Sequence, residues 1–228
     1  YYVNSHGLPH PDHVTTARDL ALLAKAMIND HPEHYAIYKE REFTYNNIRQ
    51  YNRNTLMSED PTVDGLKTGH TEAAGYCLVA SAERRGMRLI SVVMGTNSTQ
   101  TRKNETRSLL NYGFRFYETS TVFESMTELE KPRIWKGRED HVAVGLLEET
   151  VLTLPRGKQK HLVTSVEVDE ELVAPLAAGD AVGTVTLSLD GETVFRGPVV
   201  ALQAVEAGGF FSRLWDVVLM WIASLFKA

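Results

Sequence analysis

Lys67, Thr68 and Gly69 place a fixed positive charge, a hydroxyl and a position without a side chain at three consecutive positions. They lie within Asp64-Gly65-Leu66-Lys67-Thr68-Gly69-His70-Thr71, and Ala74-Gly75-Tyr76 follows. A cation beside a hydroxyl donor suits the stabilisation of negative charge. The tripeptide alone carries little weight, because short motifs recur by chance and need a structural context. Here the context is extended chain. Residues 63–71, 76–82 and 87–94 read as strands, and Arg85-Gly86 makes the last two a hairpin.

Other residues that could do chemistry make weaker cases. His6, His10 and His13 are spaced across Pro9 and Pro11 in a loop, with Asp12 as the only carboxylate support and no cysteine nearby. That pattern reads as a polar turn, so no metal is expected, and nothing calls for a cofactor. Cys77, the one cysteine, falls in an apolar strand and is expected to be an inert buried thiol. A single cysteine excludes an intrachain disulfide and fits either the cytoplasm or a bacterial periplasm.

These residues need elements to position them. The chain of 228 residues is 43% hydrophobic and 23% charged with a net charge of −5, which suits folded domains and gives no footprint for nucleic acid. Residues 1–14 read as a strand end and loop. A helix is expected to start at Thr15 or Thr16 with Leu20, Leu23, Ala24 and Met27 on its core face, and to end at Asn29-Asp30-His31-Pro32. Residues 35–60 suggest a short helical piece, a strand and a long loop. A second helix, about 101–117, is expected to bury Leu109, Leu110, Tyr112, Phe114 and Phe116. From residue 119 the texture becomes short apolar runs, at 142–146, 150–154, 162–168, 181–189 and 199–205. Turns such as Pro155-Arg156-Gly157, Asp190-Gly191 and Gly197-Pro198 separate them. This marks a separate small all-β domain, with Asp190-Gly191 as its strongest hairpin signal.

The Lys67-Thr68-Gly69 stretch, with Val3-Asn4-Ser5-His6-Gly7-Leu8, Ala17-Arg18-Asp19, Ile48-Arg49-Gln50, Asn52-Arg53-Asn54 and Gly113-Phe114-Arg115-Phe116, resembles the low-molecular-mass penicillin-binding proteins. These are serine D-alanyl-D-alanine carboxypeptidases, and the resemblance runs essentially along the whole chain. It implies an α+β fold: the rear portion of a penicillin-binding transpeptidase-like domain (1–118), a β-rich domain (119–206) and an amphipathic membrane-anchor helix (207–228). It also implies roles. Lys67 and Thr68 would hold the substrate's terminal carboxylate, and Gly69 would let an extended peptide lie along the strand edge. The His70 backbone N–H would be one oxyanion donor. Arg53 and Arg102 fall where the family keeps basic residues near the carboxylate end of the substrate.

The family's other two motifs, Ser-x-x-Lys and Ser-x-Asn, precede everything seen here. Ser224-Leu225-Phe226-Lys227 matches the first by accident, since it lies in an apolar tail without the shaped site that a nucleophile needs. The chain is therefore expected to be a fragment, inactive alone. Apolar residues of the 87–94 strand are expected to be uncovered. The intact enzyme would trim terminal D-Ala from peptidoglycan stem peptides and be acylated by β-lactam antibiotics. Two alternatives remain: a serine β-lactamase-like hydrolase, which would need neither β domain nor anchor, and a non-catalytic envelope-binding module.

The tail follows a Gly208-Gly209 break. Its uninterrupted apolar run, 217–223, is far short of the ~20 residues that span a bilayer. Laid in the plane of a membrane, residues 209–228 would turn Arg213 and Asp216 to water. Phe210, Phe211, Leu214, Trp215, Val218, Trp221, Ile222 and Phe226 would enter the acyl boundary. The resemblance puts that surface on the periplasmic face of the inner membrane.

Overall fold

The computed structural model describes residues 1–225. The chain divides into two compact units, residues 1–118 and 119–228.

In the first unit, Thr16 and Asp19 form a reciprocal capping box that starts α1 (Ala17–Asp30). Ala24 is buried and Leu20 and Met27 are partly so, but Leu23 is exposed along with Leu22. Leu20, Ala24, Met27 and Ile28 follow the helical spacing of one stripe, and Leu23 falls to its side. Next come α2 (Pro32–Tyr35), a 3-10 turn (Ala36–Lys39), and two antiparallel strands, β1 (Glu42–Tyr45) and β2 (Ile48–Tyr51). The long loop expected after the first strand is thus a hairpin. Asn46 and Asn47 close it with positive φ values of 48° and 60°, which Asn tolerates better than most residues.

After α3 (Leu56–Glu59) comes an antiparallel sheet ordered β3 (Val63–Thr71), β4 (Gly75–Arg84), β5 (Met87–Thr96). Arg85 and Gly86, both at positive φ, make the tight turn between β4 and β5. Ser98 caps α4 (Thr99–Phe116), its side chain accepting from the Thr101 N–H at 3.0 Å. The face that α4 buries carries Arg102, Thr106 and Leu110, four residues apart. Leu109, Tyr112 and Phe116 lie off that stripe and are exposed, against expectation. Leu110 joins Leu56, Met57, Val63 and Ala82 in the core, with Leu89 and Phe114 packed against them. Each fully buried leucine of this kind contributes about 1.5–3 kcal/mol. On β5, Met87 and Val93 are buried and Met94 is the one exposed large apolar side chain, because α1 and α4 both pack on this strand. The expected uncovered apolar face is therefore largely covered.

The second unit is built from short strands: β6 (Tyr117–Phe123), β7 (Thr127–Glu130), β8 (Ile134–Trp135), β9 (Val144–Leu146), β10 (Thr150–Pro155), β11 (Leu162–Val168), β12 (Leu172–Val173), β13 (Ala181–Leu189) and β14 (Glu192–Ala201). The main sheet runs β11-β13-β14-β9-β7, β6 pairs with β10, and β8 runs parallel to β12. Its core comprises Ile134, Val142, Val144, Val182, Val185, Val199 and their neighbours. Asp190 and Gly191, at φ 52° and 89°, close the β13–β14 hairpin. Gly197-Pro198 is not a turn; both residues lie within β14, opposite Val185 and Thr184. Proline is tolerated there because β9 pairs with β14 only at Val200 and Ala201, which leaves the strand one-sided at Pro198.

The last element, α5 (Phe210–Leu225), belongs to this unit. Its glycine break does not detach it. The Gly208 N–H donates to the Lys136 carbonyl at 2.8 Å, and a Cβ on Gly208 would come 2.6 Å from the Gly137 carbonyl oxygen. Asp216 does not face water either. Its carboxylate accepts from the Lys136 N–H at 2.5 Å and lies 3.5 Å from Arg133 Nη2, with its side chain 14% exposed. A carboxylate finding a backbone donor and a guanidinium on the β domain gains more than it would in water. Phe210, Phe211, Leu214, Trp215, Val218, Trp221 and Ile222 are all exposed. Phe226 and Lys227 lie outside the described residues, among which no helix is long and apolar enough to cross a membrane.

Candidate functional site

The sequence motif lies on β3, an edge strand: among the described residues no strand pairs with its outer side. In an antiparallel strand, alternate residues direct their N–H and C=O groups toward the partner and away from it. The outer edge of β3 therefore presents backbone donors and acceptors to whatever lies alongside.

Opposite β4, Lys67 faces Val79, Thr68 faces Leu78, Gly69 faces Cys77 and His70 faces Tyr76. Ala82 and Leu89, which face one another, pack with Leu110 of α4. By alternation, Leu78 and Ala80 share that helix-backed face, and so do Thr68 and His70. Lys67 and Gly69 occupy the other face. Lys67 is exposed, its Nζ donating to the Thr68 carbonyl at 2.5 Å. Gly69 is not there for want of room in this chain. A Cβ built on it would meet only the Cys77 Cβ, at an ordinary 3.9 Å, and its φ is not in the left-handed region.

Arg102 departs from the role of an open substrate contact. It is 7% exposed, and its Nη1 donates to the carbonyls of Gly69 (3.1 Å) and Cys77 (3.3 Å), tying β3 to β4 at the motif. Its guanidinium lies 5.7 Å from the centre of the Tyr76 ring, and burial lowers its pKa. The His70 ring lies against that of Tyr76, tilted by 31° with ring centres 4.0 Å apart. Arg53 sits exposed in the bend after β2. Its neighbour Asn54 ties that bend to the motif strand, donating to the Gly65 carbonyl at 2.8 Å.

Just upstream lies a cluster that sequence reasoning missed. The Tyr35 hydroxyl donates to Asp64 Oδ1 at 2.7 Å, and Arg88 Nη1 donates to both Asp64 oxygens, at 2.9 and 2.8 Å, and to Ser81 Oγ at 2.7 Å. Burial pushes the Tyr35 phenol up to about 12, so it remains a donor. Burial alone would lower the Arg88 pKa, but the hydrogen bond and charge of Asp64 reverse the direction. The sequence signal was Asp64 itself, a carboxylate inside a strand pattern, which requires a partner.

The remaining candidates are local. The Nδ1 atoms of His6, His10 and His13 accept from the backbone N–H groups of Leu8, Asp12 and Val3, each at 3.2 Å. Cys77 is half-buried, and its Sγ lies 3.4 Å from the Ala74 carbonyl oxygen. A groove of about 410 Å³, lined by residues such as Leu146, Val151, Phe195 and Pro198, lies in the second unit and holds none of the motif residues.

Residues 1–98 match the family model described as D-alanyl-D-alanine carboxypeptidase, and residues 117–207 match the one described as penicillin-binding protein 5, C-terminal domain. The chain is 48% identical over 228 residues to D-alanyl-D-alanine carboxypeptidase DacC of Escherichia coli, an alignment covering 97% of this chain and 57% of that one. It is 40% identical to DacA of Haemophilus influenzae, covering 99% and 58%. The chain thus spans a little over half the length of these relatives. Penicillin-binding protein 5 from Haemophilus influenzae superposes with a TM-score of 0.78 at 41% identity, over 88% of this chain and 59% of that one. Penicillin-binding protein 6B from Escherichia coli gives 0.62 at 34%, over 86% and 53%. A motif strand and a β domain that each match a part of the same proteins leave one assignment: the chain belongs to the D-alanyl-D-alanine carboxypeptidase family of penicillin-binding proteins.

Proposed function

We propose that this chain is part of a serine-type carboxypeptidase that removes the terminal D-Ala from peptidoglycan stem peptides and is acylated by β-lactams. The observation that carries the reading is the open outer edge of β3, with Lys67 and Gly69 on the face away from α4. An extended peptide adds to such an edge by backbone hydrogen bonds, and Gly69 leaves its side of the strand clear. Lys67 and Thr68 then meet the terminal carboxylate, with Arg53 near that end. Arg102 serves chiefly by holding Gly69 in place, and the His70 N–H is an oxyanion donor.

The nucleophilic serine comes from residues outside this chain. Its oxygen adds to the carbonyl carbon of the penultimate D-Ala, and the C–N bond breaks. The departing amine takes a proton and leaves as free D-Ala, and water then hydrolyses the serine ester. A β-lactam follows the same first step, but its amine stays tethered after the ring opens. The relatives named above are D-alanyl-D-alanine carboxypeptidases, which supports this reading over the β-lactamase and binding-module ones.

In this reading residues 1–118 are the C-terminal portion of the catalytic domain, 119–206 are a β-rich C-terminal domain, and α5 is an in-plane anchor on the periplasmic face of the inner membrane. The exposed aromatic and aliphatic side chains of α5 support the last assignment. The test is covalent labelling. The full-length gene product should gain the mass of one penicillin, the 228-residue chain alone should gain none, and Lys67→Ala in the full-length protein should slow acylation at least ~100-fold. Acylation of the isolated chain, or wild-type rates in the variant, would refute the reading.

A further inference from the structure

Val63 faces Ala82 but Gly65 faces Ser81, so β3 carries one more residue than β4 across this step. The extra residue is Asp64, and the irregularity is a β-bulge. Its effect on the motif follows by counting. A regular ladder running on from Val63 opposite Ala82 would put Lys67 opposite Leu78, on the helix-backed face. With the bulge, Lys67 stands opposite Val79, on the other face. One inserted residue thus decides which side of the sheet receives the lysine.

A bulge leaves its extra residue without a ladder partner, so something else must hold it. Here each part of the bulge is held. Asp64 is gripped by the Tyr35 hydroxyl and Arg88, and Arg88 also bonds Ser81, the residue opposite Gly65. The Gly65 carbonyl accepts from Asn54, which is 3% exposed. A Cβ on Gly65 would come 2.7 Å from the Tyr35 hydroxyl, so the tyrosine lies directly over the bulge. The Arg88 guanidinium is 5.6 Å from the centre of the Tyr35 ring and also pairs with Glu83 at 2.5 Å. These groups sit on the same face as Lys67, two or three residues before it.

We propose that Tyr35, Asp64 and Arg88 form a clamp on this bulge that fixes the face and register of Lys67-Thr68-Gly69, making Asp64 a positioning residue for the acylation reaction. The role in acylation rests on the functional reading above; the role in register does not. Asp64 acts through the motif strand, Lys67 first, and touches no reacting atom.

The test is a double-mutant cycle in the full-length gene product, read by the acylation rate with penicillin, alongside crystal structures of the variants. Asp64→Ala is expected to slow acylation about 100-fold, the scale of displacing a reacting group by about 1 Å. In a Lys67→Ala background the same change should add no more than about tenfold, because the share of its effect that runs through Lys67 is already lost and only the displacement of Thr68 and Gly69 remains. Tyr35→Phe removes one hydroxyl with little risk to folding and should slow acylation about tenfold, the consequence of about 1.4 kcal/mol. A loss of about 100-fold that persists without Lys67 would mark Asp64 as merely structural and overturn the proposal. So would rates within about twofold of wild type for both Asp64→Ala and Tyr35→Phe. If Lys67→Ala itself proves harmless, the functional reading fails instead. The register in Asp64→Ala crystals then decides the clamp: Lys67 displaced from Val79 supports it, and Lys67 still opposite Val79 refutes it.

Discussion

Gly69→Ala separates a glycine kept for a ligand from a glycine kept for the fold. In the folded chain the added methyl would lie 3.9 Å from the Cys77 Cβ, an ordinary contact, and no left-handed φ forbids it. The folded state should therefore bear almost no cost, while the unfolded chain loses freedom. The balance is a stabilisation of about 0.4–1 kcal/mol, or a rise in Tm of roughly 1–3 °C. Acylation should move the other way. The methyl would stand on the Lys67 side of β3, where the extended substrate is to lie, and overpacking by one methyl costs about 1–3 kcal/mol. At about 1.4 kcal/mol per tenfold, acylation slows roughly 5- to 150-fold. Thermal melts and stopped-flow acylation on one preparation of the full-length protein would measure both. A fall in Tm would show that Gly69 is structural, and unchanged acylation would show that no ligand uses this face. Gly75 makes the contrast: its φ is 64°, and a Cβ added there would lie 2.9 Å from the Thr96 carbonyl oxygen, so it is a glycine of the fold.

Tyr35 gives a pH prediction. Its folded-state pKa is raised to about 12, so its stabilising contribution is complete below the ordinary tyrosine value near 10 and is lost as pH rises through 12. A phenolate absorbance titration should show one late-ionising tyrosine that disappears in Tyr35→Phe; a wild-type curve with every phenol near 10 would contradict the burial argument. Asp216→Ala should release α5 from the β domain at a cost of about 1–3 kcal/mol, the penalty for leaving the Lys136 N–H unpaired. Amide exchange across α5 should quicken while the variant still binds anionic vesicles with Trp215 and Trp221 quenched at shallow depth. Exchange equal to wild type would show that the contact holds nothing, and quenching greatest at the bilayer centre would refute an in-plane helix.

What could be read from the sequence, and what could not, divides along physical lines. Strands β3 to β5 and the hairpins at Arg85-Gly86 and Asp190-Gly191 announce themselves, because turn chemistry and alternation are local. The β1–β2 hairpin was hidden because its turn is Asn46-Asn47, without glycine, and its strands carry exposed residues on both faces. On a helix, apolar type does not fix burial: α4 buries Arg102 and Thr106 while exposing Leu109 and Tyr112. The motif residues were apparent from their types, but the reason Lys67 faces as it does was not. That reason depends on Asp64 being an inserted residue, and a bulge is a property of two strands in register. Asp216 failed for a related cause, since helical periodicity cannot reveal a backbone donor 80 residues away.

The central claim is that the open edge of β3 is where a substrate's carboxylate end docks. A crystal structure of the full-length gene product acylated by penicillin tests it most directly. The account predicts the antibiotic's carboxylate within about 3 Å of the Thr68 hydroxyl, beside Lys67, and its amide side chain hydrogen-bonded along the outer edge of β3. An acylated protein in which that edge is paired with another strand of the enzyme, or in which the carboxylate lies away from Lys67 and Thr68, would contradict it.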